Sequence, residues 1–133
     1  LIDHALIDGA KLPTSMFVAR DLESKAALRA TDYPAYIIAH KQIITDRAEL
    51  SVLIDSNIAF IHRKERELLD DLTDGMTFSD WIYAFCQREN IRTRQELKFS
   101  IVERNFTNFT DWLTDTGKVR VERDFCAKRY YHG

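Results

Sequence analysis

Apolar residues recur at helical spacing in the stretch that follows Met76. Five of them stand at positions i, i+3, i+4, i+7 and i+8, which lie along one face of a helix: Phe78, Trp81, Ile82, Phe85 and Cys86. Thr77 and Asp80 occupy the two positions of a capping box. The pattern predicts a helix from Phe78 to about Glu89, ended by Asn90, a residue type that tolerates the left-handed conformation.

A second helix is predicted directly after this one. Thr93 is followed three residues later by Glu96, which is the capping-box pattern that opens a helix. The pattern predicts a helix over 93–103 with Leu97 and Ile101 on its inner face. The short gap before Thr93 suits the connection of roughly 3–4 residues in a helix-turn-helix.

A third apolar stripe predicts a third helix, over 106–116. Its four members recur at i, i+3, i+6 and i+7: Phe106, Phe109, Trp112 and Leu113. Thr107 or Asn105 would cap this helix, and Gly117 would end it. Val119 and Val121 then alternate with polar residues, and Phe125 adds a further apolar position, which indicates a half-buried strand. A second short strand is predicted over 127–131.

This order of helix, turn, helix, short helix and basic strand pair resembles a winged helix-turn-helix. The resemblance covers 76–131 and lies in order and spacing. It implies that the third helix enters the major groove of DNA and that the hairpin contacts the backbone. A mainly α fold is therefore expected, with a winged helix-turn-helix-like C-terminal unit and a short β-hairpin.

The middle of the chain predicts a long helix. Neither Gly nor Pro occurs from Ala35 to Leu72. Six apolar residues follow one another at steps of three, four or seven: Leu50, Ile54, Ile58, Ile61, Leu68 and Leu72. Asp46 with Glu49 would cap a helix and divide the region in two. Undivided, the region would form a helix of roughly 38 residues, about 57 Å long.

A helix of that length needs a partner. Leu53, Phe60 and Leu69 form a second apolar stripe beside the main one. The two interpretations are that this stripe packs within a monomeric bundle, or that it forms a homodimer through the 35–72 helix. The domain prediction follows: 1–74 as a helical scaffold or dimerisation region and 75–133 as the winged-helix-like unit, with one compact domain over 1–133 as the alternative.

The N-terminal part offers weaker patterns. Leu1, Ile2, Leu6 and Ile7 predict a short helix or docking arm before Gly9. A further helix is predicted over 16–30, entered through Pro13 and the hydroxyl residues that follow it.

Composition narrows the functional classes. The chain has 133 residues and a formal net charge of −2, so any nucleic-acid surface must be a local basic patch. Two cysteines at unrelated positions form no zinc pattern and fit a reducing cytoplasm. No apolar run approaches the roughly 18 residues of a membrane span.

The charges near the turn and in the C-terminal segment predict contact with double-stranded DNA. Basic residues would hold phosphates, and the polar residues of the third helix would read base edges. The predicted DNA-binding residues are Arg92, Arg94, Lys98, Thr107, Asn108, Thr110, Lys118, Arg120, Arg123, Lys128 and Arg129. Asp111 and Asp115 oppose this interpretation because they repel phosphate.

The alternative is a helical protein–protein interaction module that binds no nucleic acid. Its surface would consist of exposed aromatic residues. These would be Tyr33, Tyr36, Tyr83, Trp112, Tyr130 and Tyr131.

Nothing in the sequence points to catalysis. None of the four histidines stands at metal-binding spacing from another histidine or a cysteine, and no nucleotide-binding or nucleophile motif occurs. We therefore expect a non-enzymatic protein without cofactor or metal. Cys86 is predicted to lie in the core. Cys126 lies in a basic segment, which would favour a reactive thiol, but no His or Asp partner is identifiable and a structural role is expected.

Overall fold

The computed structural model describes residues 11–38 and 42–133. In order, this part of the chain forms α1 (Val18–Arg29), β1 (Tyr36–Ile38), β2 (Gln42–Ile44), α2 (Arg47–Asp71), α3 (Phe78–Arg88), α4 (Glu96–Asp115), β3 (Val119–Asp124) and β4 (Ala127–His132). The predicted mainly helical fold with a short C-terminal hairpin is confirmed. The predicted arm over 1–11 lies almost entirely outside the described residues.

The chain divides into two compact units, residues 1–63 and 64–133, and α2 contributes to both. The division into a scaffold domain and a winged-helix-like domain stays a prediction. Among the described residues, no helix is long and apolar enough to cross a membrane.

The first unit contains a β-hairpin where a long helix is predicted. Strands β1 and β2 pair antiparallel, with Ile37 opposite Ile43. Side chains alternate across the hairpin: Ile38 and Ile44 are buried, whereas Ile37 and Ile43 are exposed. The prediction of helix from Ala35 onwards is wrong because these doubled β-branched residues satisfy a period of two and pack well on a pleated surface.

Helix α2 therefore begins at Arg47, twelve residues after Ala35, where the longest predicted helix begins. Asp46 accepts a hydrogen bond from the Ala48 amide at 2.9 Å, so the predicted helix start at Asp46 is confirmed, although the segment before it is a hairpin and not a first helix. Five of the six predicted seam residues are buried: Leu50, Ile54, Ile61, Leu68 and Leu72. Of the second stripe, Phe60 is buried, and Leu53 packs against the core of the first unit. The homodimer stays a prediction.

The core of the second unit is aromatic. Trp81, Phe85 and Phe106 are fully buried, and the Phe106 ring lies 5.4 Å from the rings of Phe78, Trp81 and Phe85. The Trp81 indole donates to the Leu68 carbonyl at 2.9 Å. This hydrogen bond satisfies the polar atom of a buried tryptophan and ties α3 to the last turns of α2.

The second unit ends in the predicted hairpin. Strands β3 and β4 pair antiparallel from Val119 opposite His132 to Asp124 opposite Ala127. On the other edge of β4, Met76 forms an antiparallel bridge with Tyr130. The Gly75 amide donates to the Tyr130 carbonyl and the Tyr130 amide to the Met76 carbonyl, both at 2.9 Å. The segment before α3 is thereby joined to the end of the chain.

Candidate nucleic-acid interface

Helix α3 begins and ends as the sequence predicts. The Thr77 hydroxyl accepts from the Asp80 amide at 3.2 Å, and the Asp80 carboxylate accepts from the Thr77 amide at 3.1 Å. Hydrogen bonds from Thr77 hold the pKa of Asp80 below its usual value. At the other end, Asn90 has a φ of 54°, and the Ile91 amide donates to the Cys86 carbonyl at 2.9 Å. Both predicted ends are confirmed.

The connection between α3 and α4 is longer than predicted. Helix α4 begins at Glu96 with Gln95 as its N-cap, and no side chain caps it. The Thr93 hydroxyl instead accepts from the Gln95 amide at 3.2 Å. The predicted capping box of Thr93 and Glu96 is therefore wrong, because the Thr93 hydroxyl accepts its hydrogen bond in a local turn with Gln95, before the helix begins.

Helix α4 replaces the two helices predicted over 93–103 and 106–116. The residues expected to cap the third helix do not do so. The Thr107 hydroxyl donates to the Glu103 carbonyl at 2.8 Å, within the helix. Asn105 is buried, and its Oδ1 has no hydrogen-bond partner among the described residues. A threonine that bonds back to the preceding turn leaves the helix uninterrupted, so the prediction of two helices is wrong.

The two halves of α4 have different surroundings. In the second half, Phe106, Phe109 and Leu113 are fully buried against the aromatic core. In the first half, Leu97 is 76% exposed and Ile101 is 45% exposed. The prediction that these two residues face inward is wrong, because the face of a continuous helix is set by its buried half.

An ion network fixes the C-terminal end of α3 against α2. Arg88 donates from Nε to both carboxylate oxygens of Asp71 at 2.9 Å and from Nη1 to Glu67 at 3.0 Å and Glu89 at 2.7 Å. The buried ammonium of Lys64 contacts Glu67 at 2.6 Å and also Glu89. Arg88 therefore supplies no unpaired charge to the turn.

The network also shifts the pKa values of two of its carboxyl groups, those of Asp71 and Glu89. Burial raises the pKa of Asp71, and the hydrogen bond from Arg88 offsets this only in part. Burial acts in the same direction on Glu89, but the hydrogen bonds and charges of Lys64 and Arg88 outweigh it and hold the pKa of Glu89 below its usual value.

Three predicted basic residues cluster before and within the first turn of α4. Arg92 and Arg94 are exposed on the connection between α3 and α4, and Lys98 is exposed on the helix itself. Arg104 is also exposed on the first half of α4 and is absent from the predicted set. Within this exposed stretch, 91–104, four basic residues accompany the two acids Glu96 and Glu103.

The basic residues of the hairpin separate into two groups. Arg120 pairs with Glu122 and lies 4.8 Å above the Tyr131 ring. Arg129 donates to the Gly75 carbonyl at 3.0 Å and lies 3.8 Å from the Asp124 carboxylate. These two arginines thus have partners within the unit.

The second group lies near the tip of the hairpin. Arg123 and Lys128 stand opposite each other in the register of β3 and β4. Both are exposed, and neither forms an ion pair within the part of the chain that the structure describes. The tip itself presents Phe125, which is 100% exposed, and the exposed thiol of Cys126.

Lys118, at the start of the hairpin, is held by its neighbours. Its ammonium contacts the carboxylate of Glu65 and lies 5.6 Å from the centre of the Trp112 ring. It is 41% exposed, so its charge is shared between this buried carboxylate and solvent.

The polar residues predicted to read base edges lie elsewhere than expected. Thr110 is 2% exposed and donates to the Thr107 carbonyl at 3.0 Å, so the prediction that it faces outward is wrong. Thr107 and Asn108 are half-buried. A pocket of about 410 Å³ brings Thr107, Thr110 and Lys128 together with Asp111 and Tyr130.

Sequence reasoning missed Leu97, Ile101 and Arg104 as surface residues of one helix face. The spacing of the apolar residues along the helix could have shown that these three residues face solvent. If Phe106, Phe109 and Leu113 define the buried face, a period of 3.6 residues places the three missed residues on the opposite side.

His, Cys, Asp and Glu are the side chains of the described residues that could hold a metal ion. No group of three or more His, Cys, Asp or Glu side chains there is arranged to hold a metal ion. Cys86 is half-buried, and burial raises the pKa of its thiol.

Comparison of the chain with models of protein families, with curated proteins and with solved structures gives no match.

Proposed function

We propose that residues 64–133 form a winged helix-turn-helix unit that binds double-stranded DNA without catalysing a reaction. The first half of α4 would be its reading helix. The connection before α4 and the tip of the β3–β4 hairpin would hold the phosphate backbone.

The bridge between Met76 and Tyr130 carries this proposal. With Met76 counted as a short strand, the order of elements is helix, short strand, helix, turn, helix and hairpin. The short strand pairs with one edge of β4, and β3 pairs with the other edge. This order resembles that of a winged helix-turn-helix and supports the proposal. It differs from the assignment made from the sequence by one helix, since the end of α2 takes the first place and α4 the third.

The distribution of charge supports the same assignment. Five exposed basic residues on the turn, on the start of α4 and near the hairpin tip are the proposed phosphate contacts: Arg92, Arg94, Lys98, Arg123 and Lys128. Lys118, Arg120 and Arg129 are less suited because carboxylates already share their charge.

Two of the four acids of α4 also fit this arrangement. Asp111 and Asp115 are exposed on the second half of the helix, where they would repel phosphate. Recognition helices contact base edges mainly through their N-terminal residues. The proposed contact therefore involves the first half of α4, and the second half would lie away from the backbone.

The test combines two substitutions on the proposed surface. Arg94→Ala with Lys98→Ala should weaken binding to every duplex sequence and lower the salt slope by nearly 2, at about 0.9 per phosphate contact. Arg20→Ala, at an exposed position on α1, is the matched control and should leave the slope unchanged. Binding by the double variant with the wild-type affinity and slope would refute the assignment of these residues.

One observation favours a second candidate, a protein-interaction module that binds no nucleic acid. Leu97 and Ile101 expose an aliphatic surface, and Tyr83 is 65% exposed on α3. The aromatic surface first predicted for such a module does not support it, because Tyr36, Trp112 and Tyr130 are buried. This candidate predicts no binding of a duplex at low salt.

A further inference from the structure

We propose that α4 reads thymine through the C5-methyl group, with Leu97 and Ile101 as the contacting side chains. This inference rests on the proposed DNA binding of the second unit. It names the chemistry by which that unit would distinguish one base pair from another.

The exposed aliphatic side chains are the first observation. Leu97 and Ile101 are four residues apart, so they lie next to each other on one face of α4. They are 76% and 45% exposed, although the same helix buries three apolar side chains completely in its second half. The face that carries them is directed away from the core of the unit.

The neighbours on that face are polar and suited to base edges. A helical period of 3.6 residues places Ser100 and Arg104 beside Leu97 and Ile101. From residue 97 to residue 104 the helix rises about 10.5 Å, at 1.5 Å per residue. That length corresponds to about three base pairs at 3.4 Å each.

The charge around the patch indicates which partner it fits. Arg92, Arg94 and Lys98 are exposed on the turn and on the first helical turn beside the aliphatic pair. An apolar protein surface would leave these charges without partners, whereas a duplex places phosphates on both sides of the groove. We therefore assign duplex DNA to this face.

In the major groove, the thymine methyl is the group that an aliphatic side chain can contact favourably. Arginine pairs with the O6 and N7 atoms of guanine in the same groove. The face formed by Leu97, Ile101 and Arg104 is thus suited to a short site with thymines beside one guanine.

The experiment compares thymine with deoxyuridine. A preferred duplex is first selected from a random-sequence library and then synthesised with thymine or with deoxyuridine at each thymine position. Deoxyuridine keeps the base pair and removes only the methyl group. The wild-type protein should bind the deoxyuridine duplex about fourfold more weakly for each methyl that is contacted, because burying one carbon group contributes about this factor.

The double variant Leu97→Ala with Ile101→Ala should bind both duplexes with equal affinity. Both residues are exposed, so the fold should tolerate the change, and circular dichroism checks this. Val52→Ala, which removes an aliphatic group that is 66% exposed on α2, is the control and should keep the wild-type preference.

The outcomes separate the two proposals. Equal affinity of the wild-type protein for both duplexes, together with salt-dependent binding, would overturn thymine reading and leave DNA binding in place. A preference for thymine that persists in the double variant would overturn the assignment to these residues. No binding of any duplex would refute the proposed function itself and would favour a protein partner for the aliphatic face.

Discussion

Replacement of Phe106 tests how α4 is anchored. Its ring is fully buried and lies 5.4 Å from three other aromatic rings, those of Phe78, Trp81 and Phe85. Phe106→Ala should lower the free energy of unfolding by about 3–5 kcal/mol, because it removes a buried ring and leaves a cavity.

That loss is large relative to the unit. At roughly 0.05–0.15 kcal/mol per residue, a unit of about 70 residues has a stability of about 4–10 kcal/mol. Phe106→Leu keeps most of the volume and should cost about 1–1.5 kcal/mol, so it remains measurable if the alanine variant does not fold.

The assay is urea unfolding followed by tryptophan fluorescence. Both tryptophans of the chain, Trp81 and Trp112, belong to the second unit and are buried there, so their emission reports this unit. Phe125→Ala is the control, because this side chain is 100% exposed, and it should change stability by less than about 0.5 kcal/mol. A loss below about 1 kcal/mol for Phe106→Ala would refute the described aromatic core.

Three further predictions concern the ends of elements. Gly117→Ala should lower the free energy of unfolding in urea by about 1–2 kcal/mol, because alanine is strained at a φ of 73°. The added methyl would meet no atom within 4 Å, so the loss comes from the backbone alone, and an unchanged free energy would contradict this conformation. Asn90→Gly, at a φ of 54°, should leave stability unchanged or raise it by a few tenths of a kcal/mol, and a clear loss would contradict the left-handed helix end. His132 places one ring nitrogen 2.9 Å from the Leu69 carbonyl and the other 2.8 Å from the Asp74 carboxylate, and these contacts raise its pKa. The stabilisation from protonated His132 should be complete below a pH of about 6.5 and should be lost as the pH rises through the raised pKa, so the melting temperature of His132→Asn should lack this step. An identical pH profile for the variant would contradict these two contacts.

The sequence predicts local helix ends well. The capping box of Thr77 and Asp80, the left-handed Asn90 and the termination at Gly117 each depend on residues within one turn. After α4, the Lys118 amide donates to the Leu113 carbonyl at 2.9 Å, as expected when glycine ends a helix. Such signals depend on short-range geometry and need no knowledge of packing.

Signals that compete are less reliable. Thr93 and Thr107 each offered a capping hydroxyl, and each instead bonds to a different backbone group. The sequence pattern predicts two helices where α4 is continuous. The buried face of the second half therefore does not fix the orientation of the first half in that prediction, and Leu97 and Ile101 are placed on the wrong face. A single continuous helix would have placed them correctly.

Long-range pairing was not predictable from local pattern. Met76 and Tyr130 are far apart in sequence, and nothing at either position indicates the other. The pairing of Lys118 with Glu65 is equally remote, so the sequence could not show which basic residues keep an unshared charge. The same limit applies to the hairpin of β1 and β2. Its apolar pairs, Ile37 with Ile38 and Ile43 with Ile44, are compatible with a helix or a strand, and only their packing in the folded unit distinguishes the two.

The measurement that tests the central proposal most directly is fluorescence anisotropy of a labelled random-sequence duplex at about 50 and 200 mM salt. Five phosphate contacts give a slope of about 4.5, so affinity should fall about 500-fold across this range. A fall of that size would support the proposed contacts on the turn, on α4 and near the hairpin tip. Absence of binding at 50 mM, or binding that does not change with salt, would contradict the proposed function.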